Sequence, residues 1–263
     1  MKLATFIAPG GSEPQAGEVR GEEVVAFASG TVLDRIASGD RTPATGKAYN
    51  LSEIALLEPI PRPPAIFCIG RNYAAHIAEM GSDKPDKPLV FLKLPLSSAP
   101  PGGPVVKPKA SDALDYESEL VLVMGDDNRI AGYAVANDVS ARDLQRSEPQ
   151  WSRAKGFDTS CPWGPWITTK DEISDPLGLR ITTHVNDELR QDGNTRDLIF
   201  GPEELVDFIS EACTLERGAI ILTGTPSGVG EAFDPPRYLQ PGDQVTCEIE
   251  RLGRLVHSVT TAP

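Results

Sequence analysis

The sequence predicts a β-rich α+β fold, arranged as a mixed and mostly antiparallel β-roll. First, its strand-like apolar segments do not alternate regularly with helices, which argues against a doubly wound parallel sheet. Second, 24 glycines and 24 prolines are scattered along the 263 residues, a composition typical of many turns and short strands. Third, only one segment has the apolar spacing of a convincing helix.

The first 60 residues are predicted to form a small unit of short strands. Its elements are strands at 2–8 and 23–28 and a weak helix near 31–38. The proline-rich segment 58–64 has the composition of a linker. We therefore divide the chain into an N-terminal β unit, residues 1–60, and a larger unit, residues 61–263.

The larger unit is predicted to be mostly β. An apolar strand at 65–69 ends at Gly70, and further strands are predicted at 89–92, 120–124, 130–136, 179–185, 219–223 and 244–250. Asn186-Asp187 has the composition of a hairpin turn between 181–185 and 188–191. The convincing helix begins at Pro202, with two glutamates in its first turn, and its apolar residues recur at helical spacing.

The composition and charge of the chain argue against several classes of binding partner. The formal charge of −13 argues against binding nucleic acid and requires a locally cationic pocket for any anionic substrate. No apolar run has transmembrane length, so no membrane partner is expected. The four cysteines are widely scattered and form no CxxC, which favours buried free thiols in a reducing cytoplasm.

Two carboxylates interrupt the apolar strand segment 114–123. Because alternate strand side chains share a face, Glu117 and Glu119 project together, and the same alternation places Asp115 beside them. Neighbouring anions in a buried strand repel one another and resist dehydration. A bound hard cation resolves both problems, so the pattern predicts a divalent metal site.

A third ligand candidate, Asp138, ends the next apolar strand. Three carboxylates without a nearby histidine or cysteine favour Mg²⁺ or Mn²⁺ over zinc. Arg142 follows and can offer its guanidinium to a substrate carboxylate. The alternative for these two residues is that Asp138 caps the next segment and Arg142 pairs with Asp143.

Three further motifs are candidates for chemistry. His76 and Glu79 have the spacing of one helix face, where the carboxylate can orient the imidazole as a general base. Lys155 lies in an aromatic, proline-bounded stretch and can reach a carboxylate or an oxyanion, and the polar turn 223–230 can hold an anion. Taken singly, an exposed His–Glu pair and a solvated lysine are the commoner interpretations.

In this order, the motifs resemble the fumarylacetoacetate hydrolase family over about residues 65–258. The segments that carry the resemblance are 70–73 with His76 and Glu79, 91–93, 115–119, 137–145, 155–158 and 223–230. The resemblance implies a mixed β-sandwich roll of the fumarylacetoacetase type, a small N-terminal β domain and a homodimer. A further Asp ligand found just before the dyad histidine in the larger eukaryotic fumarylacetoacetases is replaced here by Arg71-Asn72. The chain is thus similar to the smaller bacterial, acylpyruvase-like branch.

The resemblance also assigns roles to individual residues. It places one Mg²⁺ or Mn²⁺ per subunit on Glu117, Glu119 and Asp138. It makes His76 and Glu79, on a lid helix, the dyad that activates water, and Lys155 the active-site lysine. The substrate-contacting positions are Arg71, Tyr73, Lys93, Arg142, Gln145 and Thr225, of which Lys93 has the least defined role.

These roles imply a metal-dependent hydrolase that cleaves a carbon–carbon bond in acylpyruvate-type 2,4-dioxo acids. The 2-oxo acid end would chelate the metal while activated water attacks the distal carbonyl. The same site suits oxaloacetate decarboxylation or isomerisation of 2-hydroxyhepta-2,4-diene-1,7-dioate, since each passes through a related enolate. A binder of 2-oxo acids without catalytic activity is the alternative from another functional class.

Overall fold

The computed structural model describes residues 1–261 of the chain. The strands are β1 (Lys2–Ile7), β2 (Pro14–Arg20), β3 (Glu23–Ala26), β4 (Ala48–Asn50), β5 (Ala55–Leu56), β6 (Ile66–Gly70), β7 (Leu89–Lys93), β8 (Ser98–Ala99), β9 (Val105–Lys107), β10 (Leu114–Asp115), β11 (Ser118–Met124), β12 (Ile130–Asn137), β13 (Ser140–Ala141), β14 (Cys161–Thr169), β15 (Arg180–Val185), β16 (Glu188–Asn194), β17 (Ile220–Leu222), β18 (Gln244–Ile249) and β19 (Gly253–Thr261). The helices are α1 (Val32–Ser38), α2 (Ala74–Glu79), α3 (Arg142–Ser147), α4 (Ser152–Lys155) and α5 (Pro202–Ser210). Since even α5 has only nine residues, none of the helices described is long enough to cross a membrane.

Most strands belong to one large mixed sheet. Its strand order is β4-β3-β2-β1-β14-β12-β11-β17-β6-β7, with β5 paired to β1 and β8 paired to β14. A second sheet has the order β16-β15-β18-β19-β9, and β10 pairs with β13. Three pairs, β14–β8, β17–β6 and β19–β9, are parallel, and the other pairs described are antiparallel. The predicted β-rich, mixed roll is therefore confirmed.

The centre of the large sheet is buried on both faces. On one face, β11 packs its even-numbered side chains, such as Leu120 and Leu122, into a core shared with the second sheet and α5. On the other face, Val121 and Val123 pack with Trp163 of β14. Burial on both faces explains why β11 has an apolar sequence rather than an alternating one. Glu119 has the same parity as Val121, so its carboxylate enters this desolvated layer.

The N-terminal strands continue the large sheet. Antiparallel pairing of β1 with β14 joins them to the remaining strands, and Leu3 packs with Trp163 in the shared core. A separate small cluster around Phe6 and Val24 lies on the outer side of these strands. The division at residue 60 stays a prediction, since the N-terminal strands have both a cluster of their own and a continuous ladder to the rest.

Several local predictions are confirmed. Thr31 caps α1 through a capping box with Asp34, and the chain turns at Asn186 (φ 55°) between β15 and β16 as the hairpin prediction required. Two nine-residue strands, β14 and β19, were not predicted. β14 contains Pro162 and Pro165, and prolines are atypical of a strand interior. β19, in contrast, has a regular alternation of buried and exposed residues.

Candidate active site

The three predicted metal ligands come together at one end of the β11–β12 pair. Ligand oxygens of Glu117, Glu119 and Asp138 lie within 4.8 Å of one another, and all three residues are buried. The ladder sets this geometry, because Ser118 is in register with Asn137 and Asp138 N donates to Glu117 O at 2.8 Å. Glu117 and Glu119, which share one face, therefore form a single cluster with Asp138 at the end of the neighbouring strand.

Glu119 is the most poorly compensated of the three carboxylates. Its oxygen accepts a hydrogen bond from Gly224 N at 2.6 Å, but no lysine or arginine described in residues 1–261 forms an ion pair with it. Burial, together with the charges of Asp138 and Glu117, raises the pKa of Glu119 well above its ordinary value. A divalent cation would relieve this repulsion, and oxygen-only donors fit Mg²⁺ or Mn²⁺. The residues present therefore suit such an ion.

Two buried lysines neutralise the other ligands. Lys155 Nζ donates to Glu117 Oε2 at 2.5 Å and to Asp138 Oδ2 at 2.8 Å. Lys93 Nζ donates to Asp138 Oδ1 at 2.6 Å and to the carbonyl of Val139. Burial opposes the charge of Lys155, but Asp138 and Glu117 outweigh it and raise the lysine's pKa. Lys155 is thus held as an ammonium group, and both lysine side chains contact the ligand cluster.

Arg142 is bonded to the protein on three sides. Its Nε donates to Asp115 Oδ2 at 2.8 Å, its Nη1 donates to Gln145 at 2.9 Å, and its Nη2 lies 2.6 Å from Glu117 Oε1. Burial raises the pKa of Glu117, yet Lys155 and Arg142 outweigh burial and hold it well below its ordinary value. In this structure the guanidinium therefore orients a ligand carboxylate, and Arg142 pairs with Asp115 rather than with Asp143.

His76 and Glu79 form a contact on the short helix α2. Nδ1 of the imidazole lies 2.7 Å from Glu79 Oε1, so the tautomer protonated on Nδ1 leaves Nε2 free as an acceptor. The other oxygen, Glu79 Oε2, accepts from Gly228 N at 2.8 Å. Glu79 thus orients the ring and fastens α2 to the polar turn 223–230. With His76 almost fully buried, the pair is not a surface contact.

A cavity of about 260 Å³ opens onto the ligand cluster. Nine of the twelve predicted site residues line it: Arg71, His76, Glu117, Glu119, Asp138, Arg142, Gln145, Lys155 and Thr225. The other three lie behind the lining: Glu79 supports His76, Lys93 supports Asp138, and Tyr73 is buried beside α2. Phe91 and Trp151 form an aromatic wall, with an edge-to-face arrangement and ring centroids 5.3 Å apart.

Thr225 is held by a buried amide that the sequence did not reveal. Gln191 donates from Nε2 to Thr225 Oγ1 and to the carbonyl of Pro226, both at 2.8 Å, while its Oε1 accepts from Ser118 N at 3.1 Å. Thr225 in turn donates to the carbonyl of Ser118 at 2.9 Å. The polar turn is therefore attached to the strand that carries Glu119.

A second support, also missed, lies behind Glu117. Asn137 Oδ1 accepts from Glu117 N at 2.8 Å, and its Nδ2 lies 3.0 Å from Nε2 of His257 on β19. Burial lowers the pKa of His257 to about 3, so the ring is neutral and its Nε2 accepts from the amide. Asn137 lies directly before a predicted ligand, a position that could have drawn attention to it. His257 has no such signal in the sequence.

Comparisons with known proteins agree on one family. Residues 65–260 match the model described as fumarylacetoacetate (FAA) hydrolase C-terminal. The chain is similar to the oxaloacetate tautomerase YisK of Bacillus subtilis (strain 168), with 39% identity over 261 residues that cover 88% of this chain and 86% of the relative.

Solved structures share the fold over the whole chain. A fumarylacetoacetate hydrolase from the psychrophile Exiguobacterium antarcticum superimposes with a TM-score of 0.88, at 34% identity and full coverage of both chains. A 2-hydroxyhepta-2,4-diene-1,7-dioate isomerase from Mycobacterium marinum gives 0.82 at 33% identity, covering 99% of this chain and 98% of that one. Both likenesses extend through the N-terminal strands.

Proposed function

The chain belongs to the fumarylacetoacetate hydrolase family, and from this premise we propose that it is a metal-dependent enzyme that interconverts the keto and enol forms of oxaloacetate. One observation carries the proposal: a single cavity joins a carboxylate cluster suited to Mg²⁺ or Mn²⁺, a buried ammonium and a carboxylate-oriented imidazole. Tautomerisation needs these three functions and no others, because it moves one proton between carbon and oxygen. The name of the Bacillus relative supports this choice.

Glu117, Glu119 and Asp138 would hold the divalent ion. When bound, the ion supplies a Lewis acid that anchors the 2-oxo acid group and stabilises negative charge on its oxygen. Lys93, Lys155 and Arg142 keep the ligand carboxylates oriented through the bonds described above. Because these bonds are made within the protein, they fix the orientation of the ligand carboxylates.

His76 is proposed to transfer the proton. Its free Nε2 takes the proton from C3 of the keto form, and the resulting imidazolium, which Glu79 stabilises through Nδ1, delivers that proton to the C2 oxygen to give the enol. The reverse reaction retraces the same two transfers. Lys155 has three N–H donors and uses two on carboxylates, so one remains for the developing oxyanion. The helix that carries His76 lines the cavity through His76 and Ile77.

The second candidate is hydrolysis of acylpyruvates. It is favoured by the same dyad, because Nε2 of His76 can equally deprotonate a water that attacks a distal carbonyl. Carbon–carbon cleavage would then expel a pyruvate enolate. Lys155 can stabilise its oxyanion by a hydrogen bond, as proposed for oxaloacetate. Decarboxylation of oxaloacetate passes through that enolate too, but it requires no water.

A substrate panel tests the proposal. With Mg²⁺ or Mn²⁺, the protein should accelerate the decay of the ultraviolet absorbance of enol-oxaloacetate, and the reaction should be compared with cleavage of acetylpyruvate and release of CO₂. Lys155→Met should abolish tautomerisation, whereas Lys170→Met, which removes an exposed lysine paired with Glu203, should not. Absence of tautomerisation with either metal would contradict the proposal.

The assembly stays a prediction. A homodimer would give a mass near twice the 28.2 kDa of one chain by light scattering.

A further inference from the structure

The basic side chains that line the active-site cavity differ in whether an acidic side chain is paired with them. There are five, and four of them contact acidic side chains of the protein: His76, Arg142, Arg146 and Lys155. The fifth, Arg71, is exposed and has no hydrogen bond or ion pair in the part of the chain that the structure describes. It is the lining cation that remains free for a ligand.

Arg71 lies where two cavities meet. A neighbouring cavity of about 340 Å³ shares Arg71, Phe91 and Trp151 with the active site. The aromatic pair and Arg71 line both spaces. A ligand that extends from the carboxylate cluster into the neighbouring cavity would therefore pass this guanidinium.

The backbone at Arg71 is held in an unusual conformation. Its φ of 58° lies in the left-handed region, which a side chain as long as arginine adopts at a cost. Asn72 maintains it: Nδ2 donates to the carbonyls of Phe200 and Thr223, and Oδ1 accepts from Phe200 N. Strained residues that their surroundings fix in this way are concentrated at functional sites.

The charge of the site indicates what Arg71 would bind. Lys93, Arg142 and Lys155 are each paired with a carboxylate of the protein, so none of them is free for a second carboxylate on the substrate. The 2-oxo acid end would lie at the metal ligands, and Arg71 is the lining cation that is left for the distal carboxylate.

We propose that Arg71 binds the distal carboxylate of a dicarboxylic 2-oxo acid and so selects diacids over monoacids. The inference rests on the proposed function, since the 2-oxo acid end must lie at the carboxylate cluster. Arg71 is then a specificity-determining residue, and the neighbouring cavity allows diacids longer than four carbons to extend past the aromatic pair.

The test compares oxaloacetate with its 4-methyl ester, which lacks only the distal charge. Arg71→Gln should lower kcat/KM for oxaloacetate on the order of 10–100-fold, mainly through KM, because a charged hydrogen bond is lost. Activity on the ester should change less than about threefold. Arg71→Lys should restore part of the loss. Arg62→Gln is the matched control, since Arg62 is also exposed and left-handed (φ 50°) but lies outside the cavity.

Two kinetic results with Arg71→Gln would overturn the inference. Equal losses on oxaloacetate and on the ester would mean general damage to the site, and unchanged activity on both would mean that Arg71 does not touch the substrate. Calorimetry with oxalate and Mn²⁺ distinguishes failure of this inference from failure of the proposed function, because oxalate has no distal group for Arg71 to bind. Arg71→Gln should bind oxalate as the wild type does. Failure of the wild type to bind it would overturn the proposed function and this inference together.

Discussion

Replacement of Glu119 by glutamine should stabilise the metal-free protein while strongly weakening metal binding. The side chain is buried, accepts one hydrogen bond from Gly224 and forms no ion pair among the described residues. Glutamine keeps the shape and an oxygen acceptor for that amide, but it removes the charge. The repulsion from Glu117 and Asp138 then disappears.

The size of the gain follows from the spacing of the cluster. Two unit charges 4.8 Å apart repel by about 3.5 kcal/mol at an effective dielectric constant of about 20. The lysines beside Glu117 and Asp138 offset much of this, so the net penalty on Glu119 is on the order of 1–3 kcal/mol. Glu119→Gln should raise the free energy of unfolding by about that amount.

The same substitution at Glu117 should have the opposite effect. Glu117 is the partner of both Lys155 and Arg142, so Glu117→Gln leaves two buried cations short of an anion. Removing one member of a buried ion pair typically costs about 3–5 kcal/mol. The two isosteric variants, two residues apart, therefore give a matched comparison in which only the compensation of the charge differs.

Urea unfolding in EDTA at pH 5 and pH 8 measures both effects. Because the pKa of Glu119 is raised in the folded state, the folded protein binds more protons than the unfolded chain above pH 4.5, and stability falls as pH rises. The advantage of Glu119→Gln should accordingly be larger at pH 8. Calorimetry should show at least about a 100-fold loss of Mn²⁺ affinity in both variants, since even outer-shell changes cost 10–100-fold. Equal destabilisation of the two metal-free variants would refute the charge argument.

Three further predictions concern other parts of the site. His257→Gln should remove a fall in stability of about 2–3 kcal/mol between pH 7 and pH 4.5, because the wild-type ring stays neutral down to a pKa of about 3 while the unfolded chain takes up a proton near pH 6.5; urea unfolding at the two pH values measures it. Hydrogen exchange in residues 74–88, which comprise the short helix α2 and the polar run 81–88, should be fast and should slow with oxalate and Mn²⁺, and equal rates would count against a lid. His76→Ala should slow acetylpyruvate cleavage on the order of 10²–10⁴-fold in steady-state assays while retaining more of any decarboxylation, and wild-type cleavage would return the His76–Glu79 pair to an ordinary helical contact.

The sequence was enough to predict the ligand cluster, because strand alternation is a local property. Glu117 and Glu119 had to share a face, and Asp138 ended the neighbouring strand. The basic partners of these carboxylates could not be predicted from the local sequence, because they depend on how distant elements pack. That Lys93 would bond Asp138 depends on where β7 lies in the sheet, and that Arg142 would bond Asp115 depends on α3.

Predictions of strands failed where residue types obscured the pattern. β14 pairs with β1 and β12 although it contains two prolines, which normally exclude a central strand. β19 was recognisable in principle, since Leu255, His257 and Val259 alternate on its buried side. The alternation is obscured because the buried side includes the polar His257 and the opposite side includes the apolar Val256.

The distribution of the charged residues along the chain has a consequence for how the protein folds. The β11–β12 hairpin is local in sequence and carries all three ligand carboxylates at its open end, whereas the neutralising side chains come from β7, α3 and α4. Until those elements dock, the hairpin cannot lose its water at this end without burying unpaired anions. Dehydration of the site should therefore be a late step, in which the centre of the sheet forms first and the charged layer closes last. A divalent ion supplied during refolding would accelerate that closing step and leave the earlier steps unchanged.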